Sequence, residues 1–234
     1  MKKNILTILC MMLLFTASNC EMNDEEFSIG KDCDCEEELF YYGSIKAKIS
    51  IAHFLLNNWL YIGFHKEVKD SEIVSFINKS GLFKSVESNQ IIHFSPAEQM
   101  PTDERNTVSI YVNLKKAKSC SQLKEIISTI EKSSIVDFAS LTFWCKGVGV
   151  VSDAPYFYVV LKSADDLPYL MSLSEETNTT VLMKPFDHSD YYFVKADKNS
   201  KGNTLKMQKY FFETGKFKDV ISEFEYLYFR IVNN

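Results

Sequence analysis

Residues 155–231 carry the pattern that most limits what this chain can fold into. Residues 156–162 alternate in strand fashion, and residues 167–174 switch to helical spacing after the start Asp165-Asp166-Leu167-Pro168. Residues 181–186 and 191–195 are short runs of β-forming residues around the polar turn Asp187-His188-Ser189-Asp190. Ser200-Lys201-Gly202-Asn203 then breaks the pattern. Asn203 offers an N-cap, and Leu205, Met207, Tyr210 and Phe211 recur at helical spacing until Gly215. Residues 224–230 alternate again. A period of two splits side chains between two faces, while a period near 3.6 gathers them into one stripe. Breakers and caps mark where one period gives way to the other. The order is β-α-β-β-α-β, the split βαβ arrangement of a ferredoxin-like sandwich.

Residues 58–145 repeat that order with little sequence identity. A strand at 59–64 leads to a helix opened by Asp70-Ser71, carrying Ile73, Val74, Phe76 and Ile77, and ended by Gly81. Strands follow at 90–94 and 108–114, with a polar loop at 96–107 between them. Ser119 caps a helix carrying Leu123, Ile126, Ile127 and Ile130, and residues 136–144 form the last strand. The expected fold is α+β: two tandem ferredoxin-like (βαββαβ) units with antiparallel sheets. The units occupy residues 58–146 and 155–234, joined by a linker at 147–154. Residues 39–56 read either as an irregular lead-in or as a strand followed by a short helix.

Within the second unit, Ser200, Lys201, Gly202, Asn203, Leu205, Met207, Phe211, Phe212, Glu213, Thr214, Gly215 and Phe217 form the run SKGNxLxMxxxFFETGxF. This run resembles the end of the N-terminal pro-region of bacterial surface subtilisin-like serine proteases. It departs from that pattern at Ala196, where a cysteine is expected, and at Ser222-Glu223, where Pro-Asp is expected. The resemblance implies a pro-region without its protease domain, acting as inhibitor or folding partner. It also implies a sheet that packs on the protease and a C-terminal tail, here residues 230–234, that enters the substrate cleft.

The N-terminus reads as an address. Lys2 and Lys3 precede the apolar run 5–15, which is too short to span a bilayer, so residues 1–19 are expected to be a signal peptide. Thr16-Ala17-Ser18-Asn19 before Cys20 resembles a bacterial lipoprotein cleavage site, with Cys20 acylated; the alternative is a plain secretory signal. Residues 20–57 then comprise anchor, acidic tether and lead-in. The Asp- and Glu-rich stretch 21–38 is too polar to fold alone. Its start resembles the signal that sends lipoproteins to the outer face of the outer membrane, or it is a mere spacer. The expected location is the cell surface, lipid-anchored to the outer membrane, and otherwise periplasmic or secreted. The formal net charge of −5, without a basic stripe, argues against a nucleic-acid partner.

Strand alternation sorts the aromatic residues. Trp59, Tyr61, Tyr111 and Trp144 in the first unit are expected on the face away from the helices. Tyr156, Tyr158, Tyr226, Tyr228 and Arg230 are expected there in the second. Such a face suits a protein or glycan partner, because these rings combine apolar area with a polar tip. The competing reading has the same faces covered internally.

Chemistry is sparse. The chain lacks G-x-S-x-G, H-E-x-x-H, a phosphate-binding glycine loop and an EF-hand loop. His53, His65, His93 and His188 are scattered, so no catalytic residue, metal or cofactor is expected. Cys33-Asp34-Cys35 supplies half a tetrahedral metal site at most and reads as a disulfide or free thiols. With Cys10 removed and Cys20 acylated, Cys120 and Cys145 remain in the first unit. They fall at the same end of a split βαβ unit, as a disulfide or as two buried thiols. The expected function is non-enzymatic. One reading is a pro-region-like inhibitor or folding partner of a subtilisin-like protease. The other is a surface-anchored module binding a protein or glycan through its aromatic faces.

Overall fold

The structure, a computed structural model, describes residues 41–42, 49–50, 53–94, 107–145, 149–182 and 190–227. The strands are β1 (Tyr41–Tyr42), β2 (Ile49–Ser50), β3 (His53–Phe64), β4 (Ile92–Phe94), β5 (Thr107–Asn113), β6 (Val136–Cys145), β7 (Gly149–Val160), β8 (Thr180–Val181), β9 (Tyr191–Lys195) and β10 (Asp219–Leu227). The helices are α1 (Asp70–Lys79), α2 (Cys120–Ile130), α3 (Leu167–Thr177) and α4 (Thr204–Glu213). The fold is mixed α+β, and every described strand pairing is antiparallel.

A single eight-stranded sheet runs β4-β5-β3-β6-β7-β9-β8, with β10 on the other edge of β7. The expected linker at 147–154 is therefore corrected. Its residues from Gly149 onward begin β7, and Cys145 pairs with Gly149 in a β6–β7 hairpin. Val150 and Val151 are buried there, and the Ser152 hydroxyl donates to Thr142 Oγ1 at 3.0 Å. Burying two valines favours pairing over an exposed connection by about 1.5–3 kcal/mol each.

Strand β7 holds the halves together. On one edge it pairs with β10 along its length, from Val150↔Leu227 to Val160↔Asp219. Its other edge is divided. Gly149 to Ser152 pair with β6, and Tyr156 to Val160 pair with β9. The break falls around Pro155, which has no N–H to donate to a ladder. The register of β10 also shifts there, between Ser222 and Phe224.

The four described helices lie on one face. Ile73 and Ile77 of α1 and Leu123 and Ile130 of α2 join Leu60, Ile62, Ile110, Val112 and Val151 in one core. Leu170 and Leu173 of α3 and Met207 and Phe211 of α4 join Phe157, Val159 and Val194 in a second. Val151, Phe157 and Val159 share one face of β7, so the two cores are neighbours beneath one helical layer. Leu205 of α4 packs on the first core, spanning the joint.

Helix ends follow local chemistry. Ser119 and Gln122 form the capping box of α2, with Gln122 N donating to Ser119 Oγ and Ser119 N to Gln122 Oε1. Asn203 Oδ1 accepts from Lys206 N at 3.0 Å to start α4. Gly215 follows α4 at φ +66°, a conformation that disfavours any side chain, and its carbonyl accepts from Lys162 Nζ at 2.7 Å. Ser200 Oγ donates to Asn178 O, and Lys201 N to Thr177 O, pinning the loop before α4 to the end of α3. The conspicuous run 200–217 is thus occupied with a loop anchor, a cap, core contacts (Met207, Phe211, Phe217) and a stop.

Candidate functional site

The aromatic residues expected on an open face are largely internal. Tyr61 is 2 % exposed, Tyr111 7 % and Tyr156 5 %. Tyr61 and Tyr111 rings lie 4.6 Å apart, and the Tyr61 hydroxyl donates to Ser109 Oγ at 2.9 Å. With Leu56, Phe138 and Val150 they make a third core, on which half-buried Trp59 and Trp144 pack. Tyr158 is half-buried, lies against Phe193 with ring centroids 4.4 Å apart and planes tilted by 45°, and donates to Glu223 Oε1 at 3.1 Å. The expectation of an open aromatic face is corrected for Tyr61, Tyr111 and Tyr156, which are buried. The second face of the sheet carries an apolar layer of its own, and rings of this size are worth most when removed from water. Tyr226 pairs with Val151 in the backbone ladder, but its side chain lies outside the described residues, as do Tyr228 and Arg230. Cys20, Cys33 and Cys35 lie outside them too. Cys120, buried at the start of α2, is disulfide-bonded. Cys145 ends β6 and its side chain is not among those described.

A cavity arises at the divided edge of β7. Where β6 and β9 part, a fork opens into a cleft of about 400 Å³. Its walls are Phe138 to Leu141 of β6, Asp153 of β7, the outer side of α2 from Lys124 to Glu131, the loop from Ala196 to Ser200, and the first turn of α4. Ser140 Oγ donates to the Asp153 carbonyl at 3.2 Å, and Ala196 N donates to Pro155 O at 2.8 Å, fixing the base of the fork.

Charged groups hold the rim together. Asp137 is only 7 % exposed, and its Oδ2 lies 2.6 Å from Lys195 Nζ at the end of β9. His65 Nδ1 lies 3.7 Å from the other oxygen. Lys198 Nζ donates to Ser133 O at 2.7 Å and Val136 O at 2.6 Å, closing off the loop after α2. Burial pushes the Glu131 carboxyl above its ordinary range. A hydrogen bond from Ala139 N and the charge of Lys198 pull it down, and Asp197 adds to the rise.

No family model and no curated protein matches this chain. Among the described residues no group of three or more His, Cys, Asp or Glu is placed to hold a metal ion. No described helix is long and apolar enough to cross a membrane. His93 is exposed on the edge strand β4 and sits 3.1 Å from Asp70 at the start of α1.

The cleft residues carry no motif, and sequence reasoning passed over them. One signal was available. Asp137 and Asp153 each interrupt an apolar strand run, and a carboxylate in such a position is seldom buried without a partner or a task.

Proposed function

We propose that this chain is a non-catalytic, pro-region-like protein of two tandem ferredoxin-like units that inhibits a subtilisin-like protease or assists its folding. The observation that carries the reading is the arrangement of the second half. Edge to edge its strands run second, third, first, fourth (β8-β9-β7-β10), and its helices connect first to second and third to fourth. That is the order a split βαβ unit requires. The run 200–217, on which the resemblance rests, supplies the second connecting helix, its cap and its stop. The first half has the same order, β4-β5-β3-β6. In this reading Cys20 carries a lipid, the acidic stretch 21–38 is a tether, and the protein works at the outer membrane surface.

The alternative is a module binding a protein or glycan through its aromatic faces; of that face Tyr61, Tyr111 and Tyr156 are buried, Trp59, Trp144 and Tyr158 are half-buried, and the side chains of Tyr226, Tyr228 and Arg230 lie outside the described residues. The test is a titration of the soluble protein against subtilisin-like proteases, with and without residues 230–234. Inhibition that disappears with the tail is the expected result. Full protease activity and unchanged protease refolding at saturating protein would overturn the proposal.

A further inference from the structure

We propose that the acidic stretch 21–38 of this chain docks on the exposed lysine face of α4. The net charge of −5 averages over two unlike segments. Residues 21–38 hold nine carboxylates and one lysine, Lys31, whereas residues 198–218 hold six lysines and one carboxylate, Glu213. Of these lysines, Lys201, Lys206, Lys209 and Lys216 are exposed. Helical spacing sets Lys206, Lys209, Tyr210 and Glu213 on the outer side of α4, with Lys201 just before the helix and Lys216 just after it.

Little in the folded body offsets these charges. Lys209 lies 3.9 Å from Glu213, an exposed pair of small worth. Lys216 sits over the Tyr169 ring at 5.9 Å, and Glu176 is engaged by the Tyr210 hydroxyl at 2.9 Å. Among the described residues no carboxylate lies within ion-pair distance of Lys201, Lys206 or Lys216.

Reach and place favour the chain's own acidic stretch as the occupant. β1 begins at Tyr41, just after that stretch, and lies beside β10, a strand on which α4 packs. At about 3.3 Å per residue the 18 residues of the stretch can span about 60 Å, against about 15 Å for the 10 residues of α4. Exposed ion pairs are weak singly, but covalent attachment holds these carboxylates near the lysines at an effective concentration of roughly millimolar, so several weak pairs suffice. Phe27 and Ile29, between two acidic clusters, then supply apolar contact for the exposed Tyr210 ring. Docked, the stretch screens the lysines from other anions. Nothing in this assignment depends on the protease reading, and its test involves no protease.

The test is zero-length carbodiimide cross-linking of the soluble protein beginning at Glu21, mapped by mass spectrometry. Within single molecules, carboxylates of residues 21–38 should join to Lys201, Lys206, Lys209 or Lys216 in preference to Lys79 and Lys84, which are equally exposed in the first half. The yield should fall about tenfold from about 0.1 M to 1 M salt, as the screening length drops from about 10 to about 3 Å. As a second readout, the amide resonances of α4 should shift when every Asp and Glu of residues 21–38 is replaced by Asn or Gln. Cross-links spread evenly over Lys79, Lys84 and the α4 lysines overturn the proposal, and so do α4 resonances unmoved by the replacement. Cross-links formed only between molecules would give the face to a second copy and equally overturn it. So would binding of the parent protein to phosphatidylglycerol vesicles that is lost in Lys206→Gln/Lys209→Gln, because the face would then be open to a membrane.

Discussion

Replacing Lys195 by Met tests whether the joint between the halves is held by the buried charge pair. Lys195 ends β9 and Asp137 lies in β6, strands that share an edge of β7 but do not pair with each other. Their side chains are 21 % and 9 % exposed, at an N–O separation of 2.6 Å. With an effective dielectric constant of about 20, two unit charges at that distance attract by roughly 6 kcal/mol. Desolvation of both ions offsets much of this, so the pair's net worth against an apolar pair is small. Removing one partner is different, because the carboxylate of Asp137 then stays buried without its cation. Such deletions cost about 3–5 kcal/mol, and the partial exposure of Lys195 argues for the lower end, about 3 kcal/mol. Chemical denaturation at pH 7 measures it. Lys195→Met should lower the unfolding free energy by about that amount, and adding Asp137→Leu should recover most of the loss. A single variant costing less than about 1 kcal/mol, as a surface pair would, refutes the reasoning, and so does a double variant no more stable than the single one.

Two further outcomes follow from the packing. Because the folded-state pKa of Glu131 is raised, its stabilising contribution is present at acid pH and lost as pH rises through the folded value. Glu131→Gln should thus be more stable than the parent at pH 7, with the difference closing below about pH 4; thermal melts across pH that show the reverse order would contradict the burial account. Phe211 is fully buried between Phe157 and Phe217, with ring centroids 5.2 and 6.1 Å away, and Phe211→Ala should cost about 3–5 kcal/mol in a denaturant titration.

Much of the secondary structure was legible because its causes are local. The capping box at Ser119 and Gln122, the Asn203 cap and the Gly215 stop lie within a few residues of the elements they bound. The alternation that marked β3 and β7 also sorted Leu60, Ile62, Phe157 and Val159 correctly onto the helical face. The strands nevertheless extend further than alternation indicated. β3 begins at His53 and β7 at Gly149, where apolar and polar residues do not alternate. A strand buried on both faces loses the contrast that the period depends on.

The candidate site was not legible, for a related reason. Tyr61 and Tyr156 were assigned correctly to the face opposite the helices, yet alternation cannot report whether that face meets water. Nor does any motif join Glu131, Asp153, Asp197 and Lys206, which meet only because three segments converge on a fork.

The sequence by itself thus determined the order of strands and helices, where the helices start and stop, and which stripe of each faces the core. Those properties depend on backbone preferences and side-chain chemistry over a few residues. The tertiary structure alone decided that β6 pairs with β7 to merge both halves into one sheet. It also decided that the second aromatic face is buried, that Asp137 finds Lys195, and that a charged cleft opens where β6 and β9 part. These depend on which distant segments share an edge or a face, and on burial gained only when they come together.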